Sequence, residues 1–248
     1  MTQEPLVRTP RSGMLIHVLT ASGAVAGLVA LQHIIDGDIR SGLLWLVVCQ
    51  VLDGIDGPIA RSYGLDTDGG MIDGHILDLV VDYVTCVVVP VVLMVHARLV
   101  RPSMMMWTAG LILLTSALWF ARTDQETPDR WFNGFPASWN IVIPSLLILR
   151  AGEARVLQFV AFLCVLQLSS LKFPHVMRVR AMRRTTMAVT VVYFGCLVLL
   201  SARYPAGPHW ARTVLLVAPL YLAVLVAWRT WMPGRRILGL SVSQPEVS

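Results

Sequence analysis

Four aspartates, Asp53, Asp56, Asp78 and Asp82, lie within one stretch of the chain, DGIDGPIARSYGLDTDGGMIDGHILDLVVD, which is set between two strongly apolar segments. On an α-helix Asp53 and Asp56, at i and i+3, share a face, and Gly74, Asp78 and Asp82, at successive i, i+4 steps, form a stripe. Such carboxylates pose a charge problem, because an aspartate at membrane depth costs roughly 2.5 to 3.5 kcal/mol on insertion scales. Arg61 is the one nearby counter-charge in this stretch. Hard divalent cations resolve the imbalance: carboxylate oxygens bind Mg²⁺ or Mn²⁺ well where a substrate phosphate completes the coordination shell. The residue types and their spacing therefore point to a metal site for two ions.

Two helix ends must aim these carboxylates at each other. The sequence predicts a helix over 41–61 that ends in the first aspartate pair, and another over 74–97 that begins with the second. Gly57 and Pro58 loosen the first end, since proline removes a backbone donor and glycine lets a ligand approach the main chain. Between them, Asp66 to Gly70 looks superficially like a Ca²⁺ loop but lacks its closing bidentate glutamate, so residues 62–73 are expected to form a solvated turn. Pro90 predicts a kink in the second helix.

The rest of the chain supplies the surroundings. Of its 248 residues 56% are hydrophobic and only 14% charged, too apolar for a soluble domain of this size. Further helices are expected over 14–35, 102–121, 155–171, 185–202 and 210–231, with a short apolar segment over 131–149 that either spans or is partly re-entrant. The expectation is an all-α integral membrane protein, a polytopic bundle of about eight transmembrane helices. It forms one domain over 1–248, with an N-terminal cytoplasmic segment, 1–13, and a C-terminal tail, 233–248. The first apolar run is not a secretion signal, because too many membrane segments follow it.

The net charge of +5 does not point to nucleic acid, because the basic residues are scattered between apolar segments without an aromatic-interleaved patch. They instead orient the bundle: with both termini inside, most Lys and Arg residues fall on the inner side, which places the 62–73 loop in the cytoplasm. Cys49, Cys86, Cys164 and Cys196 stand singly in apolar runs and suit buried packing rather than disulfides or a metal site. His17, near the start of the first helix, lies level with the aspartates and serves either as a structural hydrogen-bonder or at the site.

The pattern D-x-x-D-G-x-x-A-R, filled by Asp53, Asp56, Gly57, Ala60 and Arg61, followed by G-x-x-x-D-x-x-x-D, filled by Gly74, Asp78 and Asp82, resembles the signature of the CDP-alcohol phosphatidyltransferase family. The gap, 62–73, is longer than in most of that family. Starting the second half at Gly69 or Gly70 loses an aspartate, so only the longer spacing keeps both. That spacing, with DGIDGPIAR, FPASWN and LKFPHVMRVR, is similar to the bacterial phosphatidylcholine synthase branch, over nearly the whole chain.

The resemblance implies that Asp53, Asp56 and Asp78 bind divalent metal, Mn²⁺ or Mg²⁺. It implies that Asp82 is the general base and also touches a metal, and that the nucleotide lies over Gly57, Ala60, Arg61 and Gly74. It further implies transfer of the phosphatidyl group from CDP-diacylglycerol to choline, by a homodimer in the bacterial inner membrane with its site facing the cytoplasm. Choline's quaternary ammonium donates no N–H hydrogen bond and is best held by aromatic faces. Tyr83, Trp119, Phe120, Trp131, Phe135 and Trp139 are candidates, Tyr83 and Trp139 foremost. Two other readings remain open at this point: a sister enzyme that uses serine, glycerol 3-phosphate or inositol phosphate, and a cation transporter, which explains neither the paired glycines nor Arg61.

Overall fold

The computed structural model describes residues 11–62, 72–175 and 182–231, with side chains described from residue 14 onward and not over 56–62. Helices α1 (Arg11–Ile35) and α2 (Ile39–Ser62) form an antiparallel pair joined by a tight turn at Gly37. Next comes a long rod made of α3 (Gly74–Asp82), a π-helical turn (Tyr83–Val88) and α4 (Val89–His96). Then follow α5 (Pro102–Phe120), α6 (Trp139–Ile148), α7 (Glu153–Gln167), α8 (Arg183–Ala202) and α9 (His209–Trp231).

Among the described residues, five segments are long and apolar enough to cross a membrane: Met14–Ile35 of α1, the rod Gly74–His96, α5, α8 and α9. The remaining helices depart from that standard for visible reasons. α2 carries carboxylates in its second half, α7 has 15 residues, and α6 has 10. The region over 131–149 thus contains only a short helix, with Pro144 inside it.

The interruption expected at Pro90 takes the form of the π-helical turn just before it. Proline has no N–H to donate, and its ring crowds the carbonyl four residues back, here that of Cys86. The wider turn, in which the Val89 N–H donates to the Val84 carbonyl, accommodates the ring. The rod also lies close to α1: a Cβ added at Gly23 would stand 2.9 Å from Val81 Cγ1, and one at Gly27 would stand 3.2 Å from Thr85 Cγ2. Small residues at such crossings let helices approach closely in lipid, where packing rather than water exclusion drives association.

One feature departs from the all-α expectation. Trp131–Asn133 (β1) pairs antiparallel with Lys172–Pro174 (β2), in register Trp131 with Pro174 and Asn133 with Lys172. Each strand is only three residues long, the first inside the short apolar segment over 131–149 and the second between the helices predicted over 155–171 and 185–202. The aromatic side chains of Trp131, Phe132 and Phe173 suit a half-buried strand, and the pair closes the end of the bundle where α5 ends, α6 begins and α9 ends. Arg229 of α9 fastens it there, donating to Asp129 at 2.6 Å and lying over the Trp131 ring at 5.8 Å.

Polar side chains tie the middle of the bundle together. Ser116 of α5 accepts from the Trp139 indole N–H at 3.0 Å and from the Gln167 amide at 3.2 Å, and the Thr115 hydroxyl donates to Gln167 Oε1 at 2.9 Å. This small network holds α5, α6 and α7 in fixed rotation, because a buried polar group in hydrocarbon must find its partner within the protein.

Candidate active site

α2 brings Asp53 to the site, and α3 brings Asp78 and Asp82 one turn apart. The three side chains are half-buried, and each offers a carboxylate oxygen such that all three atoms lie within 4.8 Å of one another. α1 packs against both α2 and α3, so the aspartates converge across a shared neighbour. Three carboxylate oxygens at that separation repel in the absence of a cation and form the hard-oxygen donor set that Mg²⁺ and Mn²⁺ take. The residues present therefore fit a divalent metal.

Asp56, Gly57, Ala60 and Arg61 continue α2 beyond Asp53, and their side chains lie outside the described residues. Residues 63–71, expected as the solvated turn, lie outside them as well. Asp73, expected in that turn, instead caps α3: its carboxylate accepts from the backbone N–H of His75 at 2.9 Å and of Ile76 at 3.0 Å. This N-cap satisfies two otherwise unpaired donors and fixes where α3 begins, and with it the register of Asp78 and Asp82. An aspartate just before a helical stripe is itself a start signal, legible in the sequence.

Gly74, the first residue of α3, is half-buried against His17 of α1, whose Cε1 would lie 3.1 Å from a Cβ placed there. The structure thus sets the imidazole of the first helix against the glycine of the second motif half. Gln50, one turn before Asp53, falls outside the motif, yet its amide donates to Asp53 Oδ2 at 3.4 Å. The i, i+3 spacing on α2 was the available signal.

The aromatic candidates separate by burial. Trp139 is fully buried, 0% exposed, with its indole committed to Ser116, and Trp119, Trp131 and Phe135 are also buried. Tyr83 and Phe120 keep partial exposure and meet edge to face at 5.9 Å, and the Tyr83 hydroxyl donates to the Leu113 carbonyl at 3.0 Å. Tyr83 follows Asp82 directly in the chain, and both rings pack at the edge of the core that encloses Trp139.

A membrane bundle in which two helices bring aspartates together beside a glycine-started stripe is the arrangement the sequence motif demanded. The profile described as CDP-alcohol phosphatidyltransferase matches residues 14–234, and the chain belongs to that family. It is similar to a phosphatidylcholine synthase of Pseudomonas aeruginosa, 32% identical over 87% of this chain and 90% of that protein. It is likewise similar to phosphatidylcholine synthases of Borreliella burgdorferi, 28% identical over 90% of this chain and 96% of that one, and of Brucella melitensis, 29% identical over 88% and 79%.

Proposed function

We propose that the protein makes phosphatidylcholine by transferring the phosphatidyl group of CDP-diacylglycerol to choline, with release of CMP. Membership of the family supports the reaction class, and the name shared by the relatives supports choline as the acceptor. The observation that carries the reading is that Asp53 of α2 and Asp78 and Asp82 of α3 bring carboxylate oxygens within 4.8 Å of one another.

In this reading Asp53, Asp56 and Asp78, with Asp82 beside them, hold two divalent ions, Mn²⁺ or Mg²⁺. Bound there, the ions neutralise the diphosphate and stabilise the charge that develops on the transferred group. Asp82 takes the proton from the choline hydroxyl as that oxygen bonds to the phosphorus of the phosphatidyl group and the phosphorus–oxygen bond to CMP breaks. Gly57, Ala60 and Gly74 leave room for the nucleotide to lie close to the backbone, and Arg61 offsets its charge. Tyr83 and Phe120, the partly exposed aromatic pair, face the quaternary ammonium. Trp139 serves the packing of α6 instead.

The eight apolar segments, counting α3 to α4 as one, make eight crossings or part-crossings of the bacterial inner membrane, with the aspartates at its cytoplasmic side and the protein a homodimer. The test is purified protein in detergent supplied with CDP-diacylglycerol, Mn²⁺ and one alcohol at a time. CMP is expected with choline and not with serine, glycerol 3-phosphate or inositol phosphate. Release with one of those others in place of choline overturns the acceptor, and release with none overturns the reaction class.

A further inference from the structure

We propose that Gln50 and Asn140 are positioning residues for the metal site, a two-amide chain that runs from the short helix α6 to the carboxylate of Asp53; this rests on the reading of Asp53 as a metal ligand. Asn140 Nδ2 donates to Gln50 Oε1 at 2.6 Å, and Gln50 Nε2 donates to Asp53 Oδ2 at 3.4 Å. The first link joins α6 to α2 across 90 positions of sequence, and the second runs within α2, three positions apart.

The direction of the chain is set by its end. An ionised carboxylate only accepts hydrogen bonds, so Gln50 must turn its NH₂ group toward Asp53, and its carbonyl oxygen then faces Asn140. Asn140 must answer with its own NH₂ group. Its carbonyl oxygen is left pointing away, and it bears the cost: Asn140 Oδ1 is buried and finds no hydrogen-bond partner among the described residues. It lines a small pocket with Gln50 and Ser201, whose hydroxyl is also buried and without a partner among those residues. A free amide would rotate to relieve such an unmade bond, but rotating Asn140 sets oxygen against oxygen at Gln50, and rotating both sets oxygen against Asp53. The carboxylate thus dictates both orientations, and the amides in return fix the carboxylate.

Side-chain amides do not titrate, so the chain orients Asp53 rather than relaying a proton. Asn140, the second residue of α6, is 5% exposed and close enough to reach across to α2. Partners of this kind behind a metal ligand typically change metal affinity by about 10- to 100-fold when removed.

The test measures Mn²⁺ binding by the purified, full-length protein, read as the Mn²⁺ concentration that gives half-maximal thermal stabilisation, alongside Mn²⁺ activation of CMP release. Gln50→Leu and Asn140→Leu are each expected to raise that concentration about tenfold while largely keeping the rate at saturating Mn²⁺. Because both act through one chain, the double variant is expected to shift it no further than Gln50→Leu alone. Ser201→Ala, in the same pocket but off the chain, is expected to leave it unchanged. An unshifted Gln50→Leu, additive shifts in the double variant, or an equal shift in Ser201→Ala overturns the proposal. If Asn140→Leu does not fold, Gln50→Leu against Ser201→Ala still decides. Wild-type protein whose stability ignores Mn²⁺ contradicts the metal reading and the chain with it, whereas a wild-type response with an unshifted Gln50→Leu contradicts the chain alone.

Discussion

His17 of α1 lies against Gly74 of α3, its Cε1 3.1 Å from where a Cβ on that glycine would stand. A Cβ at that position would press on the imidazole ring. Gly74→Ala is expected to preserve the fold, since alanine is the better helix former by about 1 kcal/mol and the imidazole need give by only a few tenths of an ångström. The KM for CDP-diacylglycerol should rise by about tenfold, roughly 1.4 kcal/mol of binding, because the nucleotide loses its close approach. Adding His17→Ala should not restore it. Restoration by the second substitution would show that crowding of the imidazole, not of the nucleotide, caused the loss.

Asp78 and Asp82 sit one turn apart on α3, and substituting each with asparagine separates their roles. Asp82→Asn keeps the shape but cannot take a proton, and losing a general base lowers the rate by about 10² to 10⁴. Asp78→Asn should also weaken metal and nucleotide binding. CMP release and CDP-diacylglycerol affinity, measured for both variants across a range of Mn²⁺ concentrations, distinguish the two. Rescue of Asp82→Asn by added metal would mark it as chiefly a ligand, and near wild-type turnover would remove it from the mechanism.

Asp129 and Arg229 join the loop before β1 to the last turn of α9. Burial, the largest influence on Asp129, favours its neutral form, but the Thr127 hydroxyl and the Arg229 guanidinium together outweigh it and hold its carboxyl below the ordinary value. A lowered folded-state value means the pair stabilises the protein above the unfolded carboxylate value, about 4, and that this contribution fades as pH falls through the folded value. Asp129→Asn is expected to cost about 1 to 2 kcal/mol at pH 7. Melting temperatures in detergent should differ between the two proteins at pH 7, begin to draw together near about pH 4 and converge only below the lowered folded value. A constant difference at all pH values would assign the loss to packing.

Position 67, between α2 and α3, and Asp38, at the opposite end of α2, report the orientation. In intact cells a membrane-impermeant thiol reagent should label Asp38→Cys and spare Thr67→Cys. The reverse pattern would place the aspartates outside.

Much of this site was legible because its geometry is local. Asp78 and Asp82 repeat at i, i+4, so a helix alone puts them on one stripe, and Asp53 needed only to sit near the end of the preceding helix. The π-helical turn was half-legible: Pro90 announces an interruption, but a proline alone does not tell a kink from the wider turn that accommodates its ring. The strands β1 and β2 are three residues each and stabilise each other only across a long stretch of chain, so no local periodicity marks them. Trp139 shows a different limit, since an aromatic ring in an apolar run reads the same whether its face is open or, as here, enclosed by Ser116 and Phe135. The link from Asn140 to Gln50 is invisible to any reading by spacing.

In the proposed reaction the cluster of Asp53, Asp78 and Asp82 holds the metal on which transfer to choline depends. Its most direct test follows labelled choline into lipid with purified protein, CDP-diacylglycerol and Mn²⁺, first with excess chelator and then with Mn²⁺ restored. Phosphatidylcholine and CMP are expected in equal amounts, abolished by the chelator and recovered with the metal. Undiminished phosphatidylcholine synthesis in excess chelator would contradict it.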